Sequence, residues 1–251
     1  LGNNVTAESV IRGELVIDEG DPFTKLGLEK SVAELKARNI FKSVNYKVEE
    51  GSEKNLKRIK INVEERPTGE ISAGAGIGTD GGRFAISIKE NNYMGEGKQL
   101  GFDLELDKDS LAGTFSYNNP NYDFLGNSIF YSLRSEKNDV PTRGYENSIV
   151  SGAISTSFEQ YKDINLNLGL SASYDDLSTL SGASDSLKKQ SGEFTEISGN
   201  YGISFDKRDR KFMPTEGSIV SFNQTLPIFA DRASIGNTFS ASKYISLSED
   251  I

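Results

Sequence analysis

The sequence predicts a mainly β protein in which a small α+β unit precedes a wall of about ten membrane-type antiparallel strands. Three observations predict it. Apolar and polar side chains alternate over Leu100 to Asp107 (Leu-Gly-Phe-Asp-Leu-Glu-Leu-Asp), Ile164 to Ser171 and Thr195 to Phe205, so each run has one apolar face and one small, hydrated face. Several such runs exceed the ~5 to 6 residues usual in soluble strands and suit the ~9 to 11 of a tilted membrane strand. Helical periodicity is present before Arg66-Pro67 and absent after Thr68.

In chain order, Thr6 is the expected N-cap of a first helix, with Glu8 in its first turn and Val10, Ile11 and Leu15 as its apolar stripe. Gly20-Asp21-Pro22 breaks the chain. A second helix is expected from about Lys25 to Arg38, with Leu28, Val32 and Leu35 inward and Asn39 closing it. Val44, Tyr46 and Val48 alternate on a strand, Glu50-Gly51-Ser52 turns, and Ile59, Ile61 and Val63 alternate on the next. Strands are then expected near Gly69–Gly78, Arg83–Glu90, Lys98–Asp107, Leu111–Asn118, Asn127–Ser135, Tyr145–Gln160, Asp163–Leu177, Gly192–Phe205, Ser218–Leu226 and Asn237–Ser246. The connections from Ser135 to Arg143 and from Leu177 to Ser191 read as long polar loops, and Glu159 to Asp163 as a short turn, which is the barrel habit of long loops on one side. Asp206 to Gly217 is a charged exception on the short side.

Hydrophobicity is patterned rather than concentrated. Of 251 residues 35% are hydrophobic, mean hydropathy is −0.46, and no run approaches the ~18 apolar residues of a spanning helix, so a helical membrane protein is excluded and a barrel is not. The 25 glycines exceed average usage, as curved strands and tight turns require. A formal charge of −9 argues against a nucleic-acid partner, whose phosphates need clustered Lys and Arg. With His and Cys both absent, neither a Cys-His or Ser-His-Asp nucleophile nor the usual zinc site can be assembled, and most enzyme classes end there. The start without Met or an apolar leader, and a last strand-like run reaching Ser-Glu-Asp-Ile251, predict truncation at both ends.

Four motifs have competing readings. Gly76-Ile-Gly78-Thr-Asp-Gly81 matches the dinucleotide fingerprint as a string, but that site needs a helix to follow, and Arg83 to Glu90 alternates as a strand, so the glycines are assigned to a hairpin. Asp103, Glu105 and Asp107 share a strand face without the loop of a calcium site and read as a solvated lumen wall. Asp206-Lys207-Arg208-Asp209-Arg210 reads first as a solvated charge run, with internal pairing across a turn as the alternative. Asn4-Val5-Thr6 and Asn223-Gln224-Thr225 match the glycosylation acceptor, a pattern left unused in a bacterial envelope.

Taken in order, several strings resemble one family. Val10-Ile11-Arg12, Gly20-Asp21-Pro22-Phe23, Phe41-Lys42-Ser43-Val44 and Val63-Glu64-Glu65-Arg66-Pro67-Thr68-Gly69 look like the last periplasmic POTRA domain of the BamA family of outer-membrane assembly factors. Gly74 to Gly82 resembles the first barrel strand and hairpin, and Glu90 to Gly97 and Asn119-Pro120-Asn121-Tyr122 the next two short turns. Phe205-Asp206-Lys207-Arg208-Asp209, continuing to Phe212-Met213-Pro214-Thr215-Glu216-Gly217, resembles a periplasmic turn in mid-barrel. The related TamA and two-partner-secretion transporters share much of this architecture. The family's Val-Arg-Gly-Phe loop motif and closing aromatic strand do not occur here. The resemblance implies a POTRA domain at 1–67, incomplete at its start, and at 68–251 the N-terminal ten or so strands of a sixteen-stranded outer-membrane barrel.

By that resemblance the protein folds and inserts β-barrel proteins, without catalytic residues, cofactor or metal. Its partners would be outer-membrane lipid, unfolded barrel clients and accessory lipoproteins. An open seam strand pairs with a client strand by β-augmentation. Glu70, Ile71, Ser72, Ala73, Gly74, Ala75, Gly76, Ile77, Gly78 and Thr79 form the expected seam, and Val44, Tyr46, Val48, Ile59, Ile61 and Val63 the expected POTRA docking hairpin. The rivals are a passive pore or secretion channel, and a soluble β-rich adhesion domain. Ten strands with an apolar band and two unpaired edges are not expected to fold alone in water; a cooperative monomeric melt of residues 1–251 in detergent-free buffer would contradict this.

Overall fold

The computed structural model describes residues 1–53, 56–78, 81–123, 125–210 and 213–246. Its N-terminal unit holds α1 (Glu8–Arg12), α2 (Lys25–Ala37) and the antiparallel pair β1 (Phe41–Glu50) and β2 (Lys57–Glu65). The α2 helix starts where the Thr24 hydroxyl accepts the Gly27 N–H at 3.2 Å. It ends where Asn39 takes φ 57°, the left-handed conformation that Asn tolerates just past a helix. The apolar stripes meet the hairpin in one core of Val10, Ile11, Val32, Leu35, Ile40, Phe41, Val44 and Val63. Thr6 is not the cap of α1. Ala7 occupies that position with no side-chain hydrogen bond, and Thr6 is buried in another role described below.

The rest of the chain is one ten-stranded antiparallel sheet in sequence order: β3 (Gly69–Gly78), β4 (Gly81–Tyr93), β5 (Lys98–Asp107), β6 (Ser110–Asn119), β7 (Ser128–Val140), β8 (Tyr145–Tyr161), β9 (Ile164–Thr179), β10 (Gly192–Asp206), β11 (Gly217–Ala230) and β12 (Gly236–Tyr244). The register places like with like. Across β3 to β11 one row of partners reads Ile71, Ile88, Phe102, Phe115, Leu133, Gly152, Ala172, Ile197, Phe229. The neighbouring row, on the opposite face, reads Ser72, Ser87, Asp103, Thr114, Arg134, Ser151, Ser173, Glu196. Because the side-chain period is two, a one-residue slip at any pair would exchange these faces, so the lipid-to-lumen contrast excludes odd slips of register. Asp103 sits in the polar row and accepts the Ser87 hydroxyl at 2.5 Å.

Two sequence expectations fail here for identifiable reasons. The loop expected from Ser135 to Arg143 is strand as far as Val140, closing in a tight turn at Pro141–Gly144. Apolar alternation does fade at Ser135, but the backbone ladder continues through Glu136↔Ile149 to Val140↔Tyr145, since ladder hydrogen bonds do not need apolar side chains. Long loops are consequently not confined to one end: Leu180–Ser191, carrying α3 (Asp185–Lys188), lies at one end, and 120–127 and 207–216 lie at the other.

The charged turn after β10 is paired in part: Arg208 and Asp206 fold together, while Lys207, Asp209 and Arg210 stay exposed. Arg208 donates from Nε and Nη2 to the two carboxylate oxygens of Asp206 at 2.9 and 2.7 Å, and both side chains are largely buried. Asp209 accepts the Thr215 hydroxyl and the N–H groups of Thr215 and Glu216. The Thr215 hydroxyl foremost, then the Glu216 N–H, hold its carboxyl down at about 2. The sequence continues the run through 211–212, outside the described residues.

The N-terminal core generates a prediction. Leu35 is fully buried, so Leu35→Ala should cost about 2–5 kcal/mol, whereas Val48→Ala, on the exposed half of β1, should cost well under 1 kcal/mol. Denaturant melts of the N-terminal unit measured in the full chain would check the contrast.

Candidate functional site

The expected seam, β3, lies at the edge of the sheet. Among the described residues it pairs only with β4, from Gly69↔Glu90 to Gly78↔Gly81, and its other edge has no strand beside it. All ten of its residues are exposed, with Ile71 76% and Ile77 95% accessible, because side-chain neighbours stand on one side only. Ser72, Gly74, Gly76 and Gly78 form its polar-row face, while Ile71, Ala73, Ala75 and Ile77 form the apolar face, so the strand has little side-chain area with which to hold a partner. Glu70 stands opposite Lys89. Thr79, the last expected seam residue, falls outside the described residues.

The expected docking hairpin divides in two. Val44 (3% exposed) and Val63 (7%) belong to the core and cannot offer side chains to a partner, and Ile61 packs against that core. Tyr46 and Val48 are exposed, and Ile59 is half-buried on the distal half of the pair. On the outer edge of β2, Leu1 donates its amino group to the Ile61 carbonyl and accepts the Val63 N–H, both at 2.9 Å. That edge is therefore occupied beside Ile61 and Val63, and β1 carries the accessible one.

Sequence reasoning missed the joint between the two parts. The short link 66–68 is tied at both ends: Arg66 donates its N–H to Ile40 and its guanidinium to Asn39, and Thr68 accepts the Asn91 N–H. The β4–β5 turn then docks under the helical unit. Asn92 is buried, donates from Nδ2 to the Thr6 hydroxyl at 2.9 Å and accepts the Gly97 N–H at 2.8 Å. Ala7 donates its N–H to the Gly95 carbonyl at 2.8 Å, and Arg38 donates to the Gly97 carbonyl at 2.8 Å. Both glycines take positive φ, and a Cβ on Gly95 would run into the Val5 carbonyl while one on Gly97 would strike Val10 and Arg38. The string Asn-Asn-Tyr-Met-Gly-Glu-Gly read as a turn; that it is also a socket depends on residues some eighty positions earlier in the sequence, and no local pattern signals it.

Three charged side chains, Glu65, Arg38 and Glu14, reinforce this joint. Glu65 accepts the N–H groups of Asn4, Val5 and Thr6, at 2.6 Å for Thr6. Burial opposes its charge, but the Thr6 hydroxyl and those N–H groups outweigh burial and hold its carboxyl below the ordinary range. Arg38 and Glu14 form an ion pair at 3.4 Å with both side chains mostly buried, and Glu14 also accepts from Asn121 of the β6–β7 turn at 2.7 Å. Desolvation lowers the Arg38 pKa and the Glu14 charge offsets part of that.

Two predictions follow from this joint. Asn92→Ala leaves the Gly97 N–H and the Thr6 hydroxyl without their partner and should weaken the joint by about 1–3 kcal/mol, seen as faster proteolysis of the 66–68 link. Because the Glu65 pKa is depressed in the folded state, its contribution is fully present above the unfolded value near ~4.3 and is lost as pH falls through the lower folded value. Spin-label distances between α2 and the β6–β7 turn should therefore broaden on acidification below about pH 4, and Glu65→Gln should be broadened already at neutral pH.

Comparison with known proteins agrees with this architecture. The family model described as "Omp85 superfamily domain" matches residues 92–251, and "Surface antigen variable number repeat", a POTRA model, matches residues 1–66. An outer membrane protein assembly factor BamA from Neorickettsia risticii is 30% identical over 98% of this chain, and one from Neisseria meningitidis serogroup B is 24% identical over 90%. The chain spans 34% and 31% of those relatives' lengths. A crystal structure of BamA from Haemophilus ducreyi lacking POTRA domains 1–3 superposes with a TM-score of 0.71 at 22% identity, over 99% of this chain and 51% of that one. With a family match over most of its length, a POTRA unit socketed beneath an unclosed antiparallel wall, and an apolar face set for the outer membrane with the POTRA unit in the periplasm, the chain belongs to the Omp85 superfamily.

Proposed function

We propose that the chain is the seam-bearing part of a non-enzymatic outer-membrane assembly factor, with residues 1–67 as its POTRA domain and 68–251 as the N-terminal portion of its barrel. The observation that carries the reading is the composition of β3. Among the described residues β3 and β12 are the two edges of the sheet, and β3 is the one whose polar-row face is only Ser72, Gly74, Gly76 and Gly78, with little side-chain area to hold a partner beyond its backbone row. A client strand satisfies that row by β-augmentation, and the small Gly-rich face makes the exchange inexpensive to reverse. The curated relatives named above are assembly factors, which supports the same activity here.

In this reading the joint sets the POTRA unit close to the seam. Thr68 accepts from Asn91 at the foot of the β3–β4 pair, and the exposed Tyr46 and Val48 lie on β1 of the unit that this link carries. Unfolded barrel clients and accessory lipoproteins dock on that β1 edge in this reading, with Ile59 flanking it and Val44, Ile61 and Val63 supporting it from the core.

Single cysteines along Glu70 to Gly78 in the full chain should form disulfides with cysteines in the terminal strand of a barrel client during assembly. Adducts should follow one register and be absent for cysteines along β5. If no register gives adducts while the full chain still supports assembly, the seam reading fails. Conductance without any assembly defect on depletion would instead select a passive pore.

A further inference from the structure

The apolar face of the sheet is charged unlike at its two ends. At the POTRA end, Tyr161 pairs with Ile164, Ile164 with Phe205 and Phe205 with Val220, all on the apolar face, and Tyr161 is 69% exposed. The next level across β10 to β12 is Lys207, Ser218 and Lys243: Lys207 donates its N–H to the Ser218 carbonyl, and Ser218 pairs with Lys243. The Lys207 ammonium lies 5.1 Å from the centre of the Phe205 ring, which places it on this face. Neither Lys207 nor Lys243 has a carboxylate partner among the described residues. By contrast Lys98, on the same rim beside Tyr93, is already paired with Glu96.

At the far end the same face carries carboxylates. Asp139 stands opposite Glu146 and Asp176 opposite Glu193, two like-charged cross-strand pairs on adjoining hairpins, with Lys137 paired to Glu146 and also near enough to Asp139 to interact with it. Such a wall is matched at one end only to a negatively charged surface.

We propose that the POTRA-end rim of β8 to β12, built from Tyr161, Phe205, Lys207 and Lys243, is a contact site for anionic phospholipid headgroups of the periplasmic leaflet. The apolar face lies against acyl chains, the Tyr161 ring sits at headgroup depth, and the two lysines extend their stems along the apolar surface to place their ammonium groups on phosphate. The carboxylate end takes no such headgroup, so the wall has a preferred direction in a bilayer. Anchoring this rim holds the side of the sheet away from β3 while β3 itself exchanges partners.

The sequence contains no Trp, so a single Trp reports locally. The full chain carrying Tyr161→Trp, and separately Tyr174→Trp at the carboxylate end, would be reconstituted in phosphatidylcholine vesicles with increasing brominated phosphatidylglycerol or brominated phosphatidylcholine. Quenching at Tyr161→Trp should show the anionic lipid favoured by about two- to fivefold, falling toward onefold in high salt and in the Lys207→Gln/Lys243→Gln variant. Tyr174→Trp should show no preference, or the reverse. Equal quenching by the two lipids at Tyr161→Trp, an equal anionic preference at both reporters, or a preference untouched by salt would each overturn the proposal. The two single-Trp proteins decide the matter even if the lysine variant fails to insert.

Discussion

Everything in this molecule depends on where backbone hydrogen bonds can go. In a bilayer no water is present to satisfy an unpaired N–H or C=O, so each strand must have a neighbour on both sides or reserve its free edge for a partner. The strands from β4 to β11 have neighbours on both sides, in unbroken sequence order. Among the described residues β3 and β12 are left as the two edges. The β3 edge has side chains, Ser72, Gly74, Gly76 and Gly78 on one face and two alanines with Ile71 and Ile77 on the other, that add little to whatever pairs there. Backbone hydrogen bonds supply most of what such an edge can offer a pairing strand.

The POTRA unit is joined to this wall by polar groups rather than by an apolar core. The buried Asn92 donates to the Thr6 hydroxyl and accepts the Gly97 N–H, Glu65 gathers three N–H groups, and Arg38 and Glu14 share a site with the Asn121 amide. Buried polar sites of this kind contribute modest net stability but impose a single geometry, because any misalignment strands a donor or acceptor away from water. The unit is thus held at a fixed angle beneath the sheet. The glycines at 95 and 97 are required by close approach of the helical unit as much as by the turn itself.

The lipid-facing surface adds a direction. Lys207 over Phe205 with Lys243 on the same face at one end, and facing carboxylates at the other, make the two rims unequal in any charged bilayer. The internal Arg208–Asp206 pair lies at the lysine end on the opposite face, so the same turn presents a positive charge to lipid and a neutralised pair inward.

Most of the wall was legible in the sequence. Period-two alternation over Leu100–Asp107, Ile164–Ser171 and Thr195–Phe205 marked the strands and their two faces, while the exact registers came only with the structure, since alternation excludes odd slips and not even ones. Alternation is a local property that burial on one side enforces residue by residue. The apolar stripes Val10 and Ile11 of the first helix and Val32 and Leu35 of α2 likewise showed part of the small core in advance. Where alternation lapses, sequence is silent: β7 runs on to Val140 on backbone pairing alone, and the charge run after β10 could be read as solvated or paired until Arg208 was seen folded onto Asp206. The socket at Asn92, Gly95 and Gly97, the ejection of Val44 and Val63 from the accessible hairpin surface, and the opposition of Asp139 to Glu146 were decided only by tertiary structure. Each depends on which distant residues a segment meets, and a hydrogen bond between Thr6 and Asn92 leaves no periodic trace in either.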